Sequence, residues 1–334
     1  MSDNNRELRK PFLLRPAGKD YLWGGKRLND EFAKNMDIFP LAETWECSTH
    51  PDGLSYVSSG EMTGRTLADV LEEHPEYLGT HPLSGANGSL PVMIKFIDAN
   101  RDLSVQVHPS DEYAYLNENG QPGKTEMWYV LDAVKGANII YGLAADVTAD
   151  ELKKSIDKGT VGKYLQKVPV KKNDVFFMEP GMIHAIGAGV LVAEIQQNSN
   201  LTYRLYDYDR IDKDGRKREL HIDKALEVAR LTGSKRPKQP LRVLKYQPGV
   251  ASEMIGRCKY FEVHRRIINT ERRQEVWFHS DELSFRVLLC VNGCGTLSFD
   301  GDVLNVYKGD CIFIPAESAE IRVHGKMQML DVRG

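Results

Sequence analysis

No two of the five cysteines (Cys47, Cys258, Cys290, Cys294, Cys311) stand in CxxC spacing, and four of them lie in the last third of the 334-residue chain. An odd, unclustered set excludes a closed disulfide frame and a thiolate metal site, so reduced cysteines of a cytoplasmic protein are expected. Long hydrophobic runs are missing as well. The cleanest, such as Val287–Val291, are strand-sized, far below the ~20 residues that cross a bilayer. Met1–Arg15 is polar and charged and has no apolar core of a secretion signal. Nor does one sign of charge dominate: 44 Lys and Arg face 47 Asp and Glu, a net charge of -3. That balance excludes a general attraction to nucleic acid or to an anionic membrane and leaves any anionic ligand to local basic groups.

What the chain does have is enough length and a 41% hydrophobic content for two cores, at roughly 100–200 residues per domain. Most of it breaks into short β-branched or aromatic runs between Gly, Pro, Asn and Asp: residues 91–98, 103–108, 127–132, 137–141, 174–178, 189–196 and 202–208. Strands this frequent predict a mainly β chain, an antiparallel barrel or sandwich. Helices are expected only as insertions: residues 66–74, residues 148–157 opening on the capping-box pair Thr148 and Glu151, and residues 221–231 with Ile222, Ala225, Leu226 and Ala229 on one face. The segment Thr232-Gly-Ser-Lys-Arg-Pro-Lys-Gln-Pro240 has the composition of an exposed connection. It sets an expected boundary between a unit of residues 1–235 and a smaller β-barrel of residues 240–334. Lys308-Gly-Asp-Cys-Ile-Phe-Ile-Pro315 parallels Lys172-Asn-Asp-Val-Phe-Phe-Met-Glu-Pro180, the trace of an internal duplication in which only the first copy has ligand-type residues.

Those residues fall in Gln106-Val-His108-Pro109, Lys124-Thr-Glu126 and Pro180-Gly181-Met-Ile-His184. Gln106 and His108 are two apart, as are Lys124 and Glu126, so on strands each pair leaves one face and both pairs can share a cavity. His184 follows a Pro-Gly turn, where glycine lets backbone approach closely. Two imidazoles, a carboxylate and an amide oxygen suit Zn²⁺, while Fe²⁺, Mn²⁺, Co²⁺ and Ni²⁺ accept the same donors. Glu126 lies within Glu-Met-Trp-Tyr-Val-Leu, where an inward acid is costly unless paired or coordinated. Alternation places Thr202, Arg204, Tyr206 and Tyr208 on one face, so Arg204 points either at the same interior or to a rim salt bridge with Asp207, Asp209 or Glu194.

Leu103-Ser-Val-Gln-Val-His-Pro109, Lys124-Thr-Glu-Met-Trp-Tyr-Val130, Pro180-Gly-Met-Ile-His-Ala185 and Thr202-Tyr-Arg-Leu-Tyr-Asp-Tyr-Asp-Arg210 resemble, in order, the motifs of type I mannose-6-phosphate isomerases in their short bacterial form. Tyr21-Leu-Trp-Gly-Gly-Lys26, Ala42-Glu-Thr-Trp-Glu46 and His50-Pro51 extend the likeness over residues 11 to 235, and the tail is similar to that family's second barrel. The resemblance implies two cupin (jelly-roll type) β-barrels, one Zn²⁺ per chain on Gln106, His108, Glu126 and His184, and Arg204 and Lys124 at the active site. It also implies interconversion of mannose 6-phosphate and fructose 6-phosphate, a sugar phosphate being the only partner, and a monomer is expected. Isomerisation through an enediol needs a proton carrier and a store for negative charge on oxygen. Lys124 is assigned the first and Arg204 the second; His50 and Glu43 are further pocket candidates, and Lys95 and Arg210 candidates for the phosphate. The residues alone leave open a non-catalytic sugar-binding barrel and a different metal-dependent enzyme.

Overall fold

The strand pattern read from the sequence is realised as three antiparallel sheets in a computed structural model that describes residues 9–81, 89–211, 214–272 and 274–334. Residues 1–8 of the polar N-terminal stretch lie outside the described residues. A six-stranded sheet holds Val92–Ala99, Glu126–Ala133, Val175–Met178 and Val190–Gln197, and a five-stranded sheet holds Val105–Val107, Asn138–Leu143, His184–Ile186 and Tyr203–Tyr206. The eight strands over residues 245–333 form a ten-stranded sheet together with the N-terminal strands Phe12–Arg15 and Tyr56–Val57, joined where Phe12 pairs with Phe313.

The layers follow from which faces are apolar. In Val190–Gln197 every residue is buried, so neither face meets water and the usual in-out alternation is absent. Alternation persists in chemistry instead. Leu191, Ala193 and Ile195 join a core shared with Phe12, Ile255, Phe285 and Val287 of the ten-stranded sheet. Val190 and Val192, with Trp128 and Val130 of the neighbouring strand, turn toward Trp23, Leu103 and Ile186, and Glu194 and Gln196 share their face by register. The ten-stranded sheet is likewise two-sided, with Leu288, Cys290, Ile312 and Met329 in a second core of its own. The outer face of the five-stranded sheet packs on helices through Val107, Leu152, Ile156 and Ala225. The interior between the five- and six-stranded sheets is therefore the one place where polar side chains from both can meet.

The helices expected as insertions form at Leu67–Glu73, Ala149–Asp157 and Ile222–Val228. Thr148 accepts from the Glu151 N–H while the Glu151 carboxylate accepts from the Thr148 N–H at 3.0 Å, the reciprocal bonding of a capping box. A further helix, not among the expected insertions, forms at Asp111–Asn117; only Ala114 is buried on it, so there is no apolar period to see, and its one sequence mark is the Ser110 cap. The apolar run Val287–Val291 is part of one long strand, Arg286–Phe299, with a register irregularity between Cys290 and Asn292.

The two parallel segments noted in the sequence make the same turn. Asn173 and Gly309, both with positive φ, donate to Val130 O and Cys290 O at 2.8 Å, and Asp174 O and Asp310 O accept from the Val130 and Cys290 N–H groups at 2.9 Å. From that match the register runs on equally: Met178 pairs with Glu126, and Ile314 pairs with Arg286. Arg286 thus occupies in the second barrel the position Glu126 occupies in the first. It is buried, and its guanidinium bonds Asp331 at 3.0 and 2.5 Å.

Candidate metal centre and adjoining cavity

His184 pairs with Gln106, and Arg204 pairs with Gln106 from the other side, so three ligand- or charge-bearing positions of the five-stranded sheet stand in a row. Glu126 faces them from the six-stranded sheet. His108 Nε2 lies 3.3 Å from Glu126 Oε2, His184 Nε2 lies 3.2 Å from Glu126 Oε1, and the two Nε2 atoms are 3.2 Å apart. Gln106 Nε2 is 3.4 Å from His184 Nε2; exchanging its amide O and N, which geometry alone leaves undecided, turns the oxygen inward. His108, Glu126 and His184 form the one group among the described residues whose donor atoms could hold a metal ion.

Both rings are aimed from behind. His108 Nδ1 bonds Leu201 O and His184 Nδ1 bonds Met182 O, each at 2.8 Å, which places the proton on Nδ1 and the lone pair of Nε2 toward Glu126. Gly181 makes the turn that delivers His184: it has φ +82, its N–H bonds His108 O at 2.9 Å, and a Cβ there would stand 2.8 Å from Val228 O. Burial, with Lys124 as the next cause, pushes the His108 pKa down to about 3, so the ring is neutral at physiological pH.

Glu126 has both carboxylate oxygens buried with no hydrogen-bond partner. Lys124 Nζ is 3.0 Å from Oε2, an ion pair off the hydrogen-bonding directions. Burial alone would raise the Glu126 carboxyl; Lys124 and the two imidazoles outweigh it and hold the group well below its usual range. Two inward lone pairs and an ionised carboxylate within van der Waals reach are mutually repulsive unless a cation sits among them. The donor set and its orphaned oxygens therefore fit a divalent metal ion.

Beside the cluster lies a cavity of about 260 Å³. Gln106, Lys124, Arg204, Lys95 and Glu43 of the sequence-derived candidates line it. His50 and Arg210 are not among the residues that line it: His50 Nδ1 accepts from the Asp52 N–H at 3.1 Å, and Arg210 is bound to Asp207. Arg204 makes none of the anticipated rim salt bridges. It donates to Ser104 Oγ at 3.3 Å and Glu219 O at 2.7 Å, and burial together with Arg218 lowers its pKa, as befits a cation short of an anion. Tyr206 does not share its face, because the register slips between Arg204 and Tyr206 and the tyrosine joins the helix-side core. Arg218 and Asp207 form a pair nearby at 2.6 and 2.8 Å.

Two lining residues, Trp128 and Arg218, carry no site signal in the sequence, and a third, Glu194, is read there only as a rim partner of Arg204. Glu194 pairs with Lys95 and with Trp128. Trp128 Nε1 donates to Glu194 Oε2 at 2.8 Å, and Lys95 Nζ is 3.6 Å from Oε1. Burial and the charge of Glu126 raise the Glu194 pKa. The one available clue is charge interrupting apolar strands, as at Lys95 in Val92-Met-Ile-Lys-Phe-Ile97 and Glu194 in Val190-Leu-Val-Ala-Glu-Ile195.

Three antiparallel sheets with an inward His/Glu/His cluster define a mainly β protein with a metal-type site. The family model "Phosphomannose isomerase type I, catalytic domain" matches residues 12–137, and "Mannose-6-phosphate isomerase, cupin domain" matches residues 253–333. The mannose-6-phosphate isomerase ManA of Bacillus subtilis is 36% identical over 319 residues, covering 95% of this chain and 96% of its own. The mannose-6-phosphate isomerase of Streptococcus mutans is 34% identical over 96% of this chain and 97% of its own. A crystal structure of the mannose 6-phosphate isomerase from Bacillus subtilis superposes with a TM-score of 0.88 at 33% identity, over 97% of this chain and 99% of that one. The chain belongs to the type I mannose-6-phosphate isomerase family and is an enzyme of that family. Its described residues contain no helix long and apolar enough to cross a membrane.

Proposed function

We propose that the chain interconverts mannose 6-phosphate and fructose 6-phosphate through an enediol, with one Zn²⁺ held by Gln106, His108, Glu126 and His184. The observation that carries this reading is Glu126, buried with both oxygens unbonded between two Nε2 lone pairs, at the wall of a cavity that also presents Lys124 and Arg204. The ion, when bound, supplies Lewis acidity toward sugar oxygens and a charge that offsets the carboxylates acting on Lys124.

Lys124 is the proton carrier: it takes the C2 proton of the open-chain aldose and returns a proton at C1, while the O2 hydrogen moves to O1, so the formula is unchanged. Although burial disfavours its charge, Glu126 and Glu194 raise the Lys124 pKa, and the neutral amine needed for abstraction depends on that offset. Arg204, with no carboxylate partner among the described residues, stabilises the negative oxygen of the enediolate. The sheets on either side exclude water from the carbanion-like intermediate. We place the active unit in residues 1–235, since every cavity-lining residue falls between Tyr21 and Arg218, and the second barrel in residues 240–334 of a cytoplasmic monomer.

The test is direct: strip the protein with a chelator, then follow fructose 6-phosphate formed from mannose 6-phosphate with and without added Zn²⁺. Activity that is lost and then restored supports the reading. A metal-replete protein without turnover sinks it.

A further inference from the structure

Lys124 lies on a segment, residues 122–125, that belongs to no strand or helix, so its backbone is placed by individual hydrogen bonds, among them the Gln197 N–H to Thr125 O at 3.1 Å. Ser199 Oγ donates to Pro122 O at 3.0 Å, the Lys124 N–H donates to Pro109 O at 3.1 Å, and Gln197 Oε1 accepts from the Thr125 N–H at 2.8 Å. Asp111 Oδ1 accepts from the Gly123 N–H and from Gln197 Nε2, both at 2.9 Å. The ties on either side of Lys124, at Gly123 and at Thr125 through Gln197, therefore converge on one carboxylate. The approach is close: a Cβ on Gly123 would stand 2.4 Å from Asp111 N.

The other oxygen of that carboxylate is held by the second barrel. Tyr260 Oη donates to Asp111 Oδ2 at 2.5 Å across 149 residues of sequence, and Lys259 Nζ lies 3.9 Å away. Tyr260 sits in the turn between the strands Val250–Arg257 and Glu262–Asn269, and its ring packs on the core shared by the two barrels. Burial and Asp111 both raise its pKa, so the phenol stays a donor. Burial works against the Asp111 charge, but bonds from Tyr260, Gln197 and Gly123 overcome it and lower its pKa. No other role in the site accounts for this convergence, since neither Asp111 nor Tyr260 lines the cavity.

We propose that Tyr260 is a positioning residue for the isomerase reaction: through Asp111 it fixes residues 123–125 and so sets where the Lys124 amine stands over the cavity. The inference rests on the reading of Lys124 as the proton carrier. It gives the second barrel a part in turnover beyond packing, because displacement of a proton carrier by about 1 Å can cost up to ~10²-fold in rate.

Tyr260→Phe deletes the hydroxyl and leaves the ring in the core. In the metal-loaded enzyme kcat is expected to fall at least about fivefold while KM stays within about twofold, with melting temperature and metal per chain unchanged. Asp111→Asn is expected to show the same split, and serves alone if Tyr260→Phe is unstable. The double variant should be no slower than Asp111→Asn, since both act through one chain of contacts. The proposal is overturned by a Tyr260→Phe kcat within about twofold of the parent, by losses that multiply in the double variant, or by a fall in kcat matched by a rise in KM and a lower melting temperature. A parent enzyme with no turnover would sink the functional reading itself, before any variant is compared.

Discussion

Both oxygens of Glu126 are buried and without a hydrogen bond; Lys124 offsets part of its charge, and a cation between it and the imidazoles of His108 and His184 offsets the rest. Glu126→Gln should therefore take bound metal from about one per chain toward none, measured by elemental analysis after dialysis. Chelator should lower the melting temperature of the parent by mass action and leave that of Glu126→Gln unmoved. Lys124→Ala is expected to reduce kcat by ~10²–10⁴ and Arg204→Ala by ~10²–10³, both with metal content retained. Near-normal turnover in either variant removes the role given to that side chain. That His108, Glu126 and His184 come together was legible: residues two apart on a strand leave one face, which drew Gln106 with His108 and Lys124 with Glu126, and the Pro-Gly turn drew His184. Trp128, two residues from Glu126 on the same strand, was not, because an aromatic in an apolar run reads as core; Glu194 was read only as a rim partner of Arg204, since its strand is buried on both faces and no alternation marks the inward side. Arg218 sits outside any strand or helix, where periodicity says nothing.

Among the elements, the turn at Gly181 has the least freedom. Gly181→Ala forces a side chain onto φ +82 and against Val228 O, at a cost of about 1–3 kcal/mol, and it shifts the start of His184–Ile186. Weaker metal binding in a competition titration, together with a lower melting temperature, is the expected outcome; unchanged metal affinity would show that His184 is placed from elsewhere. By contrast Thr148→Ala removes the capping box of Ala149–Asp157, far from the cavity. It should cost about 1 kcal/mol with kcat intact. The strands between residues 91 and 206 could mostly be read from residue type and turn signals, whereas Phe12–Arg15, Glu43–Cys47 and Leu165–Pro169 could not. Register could not: the slip between Arg204 and Tyr206 separates two side chains that strict alternation puts together, and nothing in Thr202–Tyr208 announces it.

Across the whole molecule the six-stranded sheet is covered on its outer side by the ten-stranded one, through a core to which residues before and after position 240 both contribute. A chain cut at residue 235 would expose that face and should be recovered as aggregate, and a folded, monomeric fragment would refute the shared-core account. The crossing of Phe12–Arg15 into the C-terminal sheet is the feature least visible in sequence, since strand pairing between distant segments leaves no local mark. Asp331 fixes the acid limit of the second barrel. Arg286 and then Arg266 outweigh its burial and hold its pKa below the ordinary value, so its ion pairs stabilise the fold above the unfolded-state pKa near ~3.9. That stability is lost as pH falls below it. Asp331→Asn should cost about 3–5 kcal/mol at neutral pH by leaving Arg286 buried and unpaired, and should flatten the acid limb of the unfolding curve.

The equivalence of Arg286 and Glu126 also supplies an internal reference. Two barrels of like frame lie in one chain, one whose central carboxylate faces two imidazole lone pairs and one whose carboxylate is held by two guanidiniums. Chelation should thus release hydrogen-exchange protection around 106–108, 126 and 184 while the strands carrying Arg286 and Asp331 keep theirs, so that a single experiment reads the metal's contribution against a neighbour that cannot lose its own.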